Sequence, residues 1–154
     1  MPIPGMPRSV RDLIESRARD RYILVERARQ ALEKAVDKAG LSGAPPMDQA
    51  WQKPTGPRDR LGRKAAQVAD AQRRLAEAQA WASIFTRMDE IYPKSTPEGR
   101  TADLVFGCGY RIAEVARQDG VDRQTVNNRR AAWVNRCALM AARAGLIDEE
   151  VLEE

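Results

Sequence analysis

The side chains of this chain best suited to chemistry are those of Arg123, Gln124, Asn127 and Asn128, crowded into a short stretch near the C-terminal end. Guanidinium and carboxamide groups pair bidentately with guanine and adenine edges, so a helix carrying them would read bases in a DNA groove. Thr125, Arg130 and Arg111 stand beside them and suit phosphate oxygens, whose contacts position a protein without specifying sequence. This is recognition chemistry rather than reaction chemistry. The chain has no histidine, the commonest acid–base group. No hydroxyl or thiol stands in a recognisable nucleophile motif, and the carboxylates are spread as helix-surface charges, so an enzyme is not expected. Cys108 and Cys137 lack Cys-x-x-Cys spacing and a histidine to help hold zinc, and read as core or near-surface thiols with no metal or cofactor. Gly107 and Gly109 have no preceding strand and no third glycine at the required spacing, which argues against a phosphate-cradling loop.

Two short helices crossing at a tight turn would position the polar group. Val115 and Ala116 share a face of the first, with Ala116 small enough to admit the second. Gly120 supplies the backbone freedom of the turn, and Val121 and Val126 close the small core. Asp122 stands at the N-cap, where its carboxylate can accept from unpaired helix amides, and the second helix opens at Arg123. Any helical hairpin turning at a glycine shares part of this pattern; the combination of small, turn and capping residues selects a helix-turn-helix.

From Ile112 to Val126 the chain resembles the helix-turn-helix of bacterial and phage regulators, in which a run close to Ala, turn Gly, Val, Ser, Arg, x, Thr, Val is common. Counted from Ala102 to Trp133, the likeness covers about a fifth of the chain. With the approach segment 102–111 and the double arginine before Trp133, it is most similar to small uncharacterised phage proteins and to phage late-gene regulators. Two positions depart: Asp119 stands before the turn glycine where an apolar residue is usual, and Arg129 occupies a position that usually packs inward. Phage small terminase subunits carry such a motif too, most commonly near the N-terminus. The resemblance implies a double-stranded DNA partner.

Composition agrees with a helical DNA-binding protein. Apolar residues make up 43% and charged residues 31% of 154, which describes a soluble chain with a limited core. Alanine and arginine favour helix, no alternating Val/Ile/Thr run argues for a strand, and the expected class is all-α. The net charge is +4, but Asp148, Glu149, Glu150, Glu153 and Glu154 crowd the end; the rest carries 26 basic against 17 acidic residues, a body of +9. Such a body attracts polyanions, although charge alone also serves solubility. The start Met1-Pro-Ile-Pro-Gly-Met-Pro-Arg8 has no apolar signal region and no stretch could cross a bilayer, so a cytoplasmic protein of a bacterial host cell is expected, without a membrane partner.

The elements follow from periodicity and punctuation. After an arm over 1–8, Ser9-Val-Arg-Asp12 has capping-box spacing and opens one long amphipathic helix over 9–40, stopped by Gly40. Residues 41–56 form a Pro/Gly linker in which Trp51 reads as an anchor to a helix or a contact for a partner or base. A second helix over 57–94 carries Leu61, Ala65, Val68, Ala71, Leu75, Ala78, Ala82, Phe85 and Met88 at three- and four-residue steps. That is a coiled-coil seam, suited to a helical hairpin with the first helix or to a dimer. Off that seam, Arg63, Lys64, Arg73 and Arg74 read as a solvated face rather than as DNA contacts.

Thr96 and Pro97 open a trihelical DNA-binding unit over 95–147, whose recognition helix continues along Trp133, Cys137, Met140 and Ala144 to Gly145. The acidic tail 148–154 either limits non-specific DNA binding or docks on a protein. The expected function is a sequence-specific transcriptional regulator, an oligomer, dimeric first and a ring second. A DNA-packaging recognition subunit and a helical protein-interaction module without DNA are the alternatives.

Overall fold

The computed structural model describes residues 6–40 and 57–148, and for 57–61 the backbone alone. The fold is all-α, and no strand occurs among the described residues. The helices are α1 (Arg8–Arg19), α2 (Leu24–Ala39), α3 (Pro57–Ile91), α4 (Pro97–Ala102), α5 (Ile112–Asp119) and α6 (Arg123–Arg143), with a π-helical turn (Asp103–Gly107) directly after α4. The linker with Trp51, the first five residues and the tail beyond Asp148 lie outside the described residues. No helix among the described residues is long and apolar enough to cross a membrane.

The chain divides into two compact units, one of Met1–Tyr22 with Ala80–Glu154 and one of Ile23–Gln79. In the second, α2 ends at Gly40, whose φ of 70° completes the expected glycine stop. Among its described residues, Leu24, Val68, Ala71 and Ala78 are buried. Arg73 and Arg74 are exposed, and both are tied to Asp70, at 3.1 and 3.0 Å.

The single helix expected over 9–40 is two helices. Neither glycine nor proline marks the break at 20–23, so the apolar period reads through it. Its physical cause is a tertiary contact: the Arg21 guanidinium reaches Asp89 on α3 through two hydrogen bonds of 3.0 and 2.6 Å. It also lies 4.9 Å from the Tyr22 ring centre and 5.5 Å from that of Phe85, in cation–π range. Burial opposes the charge of Arg21, but hydrogen bonding and attraction from Asp89 outweigh it and raise its pKa. The capping box expected at Ser9 is also absent. Pro7 occupies the N-cap in an extended conformation, α1 starts at Arg8, and Asp12 faces Arg8 at 3.8 Å.

The core of the first unit is an aromatic stack. Trp81 and Phe85 on α3 lie 6.0 Å apart, Phe85 and Trp133 of α6 are 6.1 Å apart and nearly parallel, and Phe106 meets Trp133 at 5.3 Å. The seam expected along α3 is therefore displaced in its last turns. It runs through Ala78, Trp81, Phe85 and Met88, whereas Ala82 is half-buried and Ala65 exposed. Ile14 and Ala18 of α1 are buried in the same unit, where α1 packs on α6 and on the π turn.

Thr96 caps α4, accepting from the Gly99 amide at 3.1 Å, with Pro97 next, as the sequence predicts. Gly99 is buried so tightly that a Cβ would run into the carbonyl oxygens of Tyr92 and Pro93. After α4 the helix widens through Leu104, Val105 and Phe106 into the π turn, where the Cys108 amide bonds to the Asp103 carbonyl at 3.0 Å. Both α4 and the π turn, which buries Val105 and Phe106, pack in the unit that holds α6.

Candidate nucleic-acid interface

The site is built by α5, a three-residue turn and α6. Arg111, extended at the N-cap of α5, is exposed, and its carbonyl accepts from the amides of Glu114 and Val115. At the other end Gly120 has φ 66° and the Val121 amide reaches back to the Ala116 carbonyl at 3.0 Å, the bond pattern that closes a helix on a left-handed residue. Val115, Ala116 and Val126 are buried, Val121 is half-buried and Gly120 is exposed.

Asp122 then caps α6. Its carboxylate accepts from the Thr125 amide at 2.7 Å and from the Thr125 hydroxyl. Those two bonds, the hydroxyl's first and the amide's second, lower the Asp122 pKa below the ordinary aspartate value. The Thr125 hydroxyl proton is engaged in this cap rather than directed outward toward a phosphate.

Of the four side chains expected to meet bases, Arg123, Gln124 and Asn128 are exposed and Asn127 is half-buried. Successive helical residues are turned by about 100°, which places Gln124 with Asn128 on one row and Arg123 with Asn127 on the next. The Gln124 amide donates to the Asn128 carbonyl oxygen at 3.0 Å. That bond aligns the two carboxamides and leaves each a donor and an acceptor for a further partner. No acidic residue lies within the first turn of α6, and the Asp122 carboxylate that caps it offsets the positive end of the helix dipole.

Arg130, expected at phosphate, faces a carboxylate of α1. Its Nε lies 3.7 Å from Glu15 Oε1 of α1, and the two side chains are only 30% and 13% exposed. A cavity of about 70 Å³ lies beside them, lined by Met6, Arg11, Val134 and Asn135. The apolar face farther along α6 also differs: Trp133, Val134, Cys137, Ala138, Ala141 and Ala142 are buried, while Met140 is half-buried and Ala144 exposed. Burial pushes the Cys137 thiol up to about 12, whereas Cys108 is exposed. No cluster of potential metal ligands occurs among the described residues.

The two departures from the helix-turn-helix pattern meet in space. Asp119, the last residue of α5, receives Arg100 of α4 at 3.0 Å on one oxygen and faces Arg129 of α6 at 3.7 Å on the other. Arg100 was not visible as a participant in the sequence, because only the fold brings α4 to this end of α5; Glu15 and Asp89 were missed for the same reason. No family model, curated protein or solved structure matches this chain.

Proposed function

We propose that this chain is a sequence-specific double-stranded DNA-binding protein, a transcriptional regulator of phage or bacterial type that lays the start of α6 into the major groove. One observation carries the reading. Arg123, Gln124 and Asn128 are exposed together on the first turns of α6, which carry no acidic residue beyond the capping Asp122. The groove offers these side chains distinct donor and acceptor patterns for each base pair. Arg111 supplies a phosphate contact, and Asn127 reads from the flank. The protein acts as an oligomer in the host cytoplasm, and a two-fold pair would meet half-sites about 34 Å apart.

The test is selection of a preferred duplex from a random pool, followed by titration of preferred and scrambled duplexes over a salt series. Gln124→Ala and Asn128→Ala are each expected to weaken the preferred duplex by about 1–3 kcal/mol, with much smaller effects on the scrambled one. Equal loss on both duplexes would refute base reading. Absence of any duplex binding at low salt would replace DNA by a protein partner, and light scattering from a closed ring of about eight copies would turn the reading toward DNA packaging.

A further inference from the structure

We infer that Asp119 is a specificity-determining residue of the reader, acting as an internal counter-charge that withholds Arg129 and Arg100 from DNA phosphates. This rests on the DNA-binding reading and adds to it a reason for sequence preference. Asp119 sits at the C-terminal end of α5, where the helix dipole disfavours an acid. It also stands immediately before the turn at Gly120. Its side chain is only 12% exposed, so the carboxylate requires partners, and the two guanidinium groups take separate oxygens.

Arg129 is the next residue after Asn128 and follows Thr125 by one helical turn, which puts it on a row bordering the reading face. A long cation that does not pack inward at that position is free to extend to the phosphate strand flanking the groove unless a partner holds it. Here its guanidinium is turned back to Asp119, and it is 23% exposed. Phosphate contacts strengthen binding to every sequence alike, so a cation kept from them lowers non-specific binding while leaving base contacts in place. Arg100, 50% exposed on α4, is held by the same carboxylate.

The experiment compares the full-length protein with Asp119→Asn, Arg129→Gln and the double variant on preferred and scrambled duplexes, with far-UV circular dichroism on each sample. Asp119→Asn is expected to bind the scrambled duplex more tightly, to discriminate less, and to steepen the slope of log K against log salt by about 0.9 for each arginine released. Arg129→Gln alone should leave the wild-type slope unchanged, and in the double variant it should cancel its share of the increase. A uniform loss of affinity in Asp119→Asn at unchanged slope would assign it a merely structural part and overturn the inference. So would a shallower slope in Arg129→Gln alone, a readout that stands even if Asp119→Asn does not fold. Wild-type protein that binds no duplex would overturn the DNA reading itself; wild-type protein that discriminates, with Asp119→Asn unchanged, would overturn only the role of Asp119.

Discussion

Trp133 joins three elements at once, and its removal should cost the first unit much of its stability. The side chain is 3% exposed, lies parallel to Phe85 of α3 and meets Phe106 of the π turn. Truncating a buried tryptophan to alanine typically costs about 3–5 kcal/mol, the transfer term and the cavity together. The unit of Met1–Tyr22 with Ala80–Glu154 is roughly 100 residues. Each kcal/mol then lowers Tm by about 4–8 °C, so Trp133→Ala should melt about 12–40 °C lower. Leu139 lies on the same helix but is 40% exposed, and Leu139→Ala should stay within about 0.5 kcal/mol of wild type. Urea unfolding followed by circular dichroism at 222 nm measures both. Similar midpoints for the two variants, or a Trp133→Ala loss under about 1 kcal/mol, would refute the aromatic stack as the joint of this unit.

Gly99 should tolerate no side chain. In Gly99→Ala the new Cβ would meet backbone oxygens of Tyr92 and Pro93, which cannot swing away as a flexible side-chain end could, and about 1–3 kcal/mol should be lost in the same unfolding assay. The Asp122 cap should titrate. Because folding lowers its pKa, its contribution is present above the ordinary aspartate value near 3.9 and is lost as pH falls through the lower folded value. Unfolding of Asp122→Asn, which keeps an accepting oxygen but does not titrate, should therefore show a gap to wild type that changes below about pH 4 and is constant from pH 5 to 8. A constant gap down to pH 2 would contradict the cap as the source of the shift.

What the sequence reveals best is chemistry completed within a few residues. Thr96 before Pro97, Asp122 before Arg123, and the glycines at 40 and 120 mark helix ends where the structure has them, because cap and turn bonds close locally. The break at 20–23 was illegible for the opposite reason. Its driving contact, Arg21 with Asp89, joins residues far apart in the chain, and no breaker residue advertises it. The displaced seam of α3 is an intermediate case. Both Trp81 and Ala82 continue a three- or four-residue step from Ala78, and the structure buries the larger of the two, 1% exposed, against Phe85. Size, weighed together with spacing, would have found it.

The candidate site divides along the same line. Arg123, Gln124 and Asn128 are exposed because nothing in their own helix covers them, whereas Arg130 is claimed by an acid on α1 that no local pattern pairs with it. Asp119 and Arg129 stood in plain view as two departures of opposite charge from one motif. Taken singly, each argues against the motif; taken together, ten positions apart across a turn that folds the second helix back on the first, they describe an ion pair replacing an apolar contact. A consequence follows for reading charge from composition. The adjacent arginines 129 and 130 are turned to Asp119 and Glu15, so a body of +9 overstates the cations free to meet phosphate. In the proposed DNA complex the burden of recognition shifts accordingly from net charge to the side chains at the start of α6.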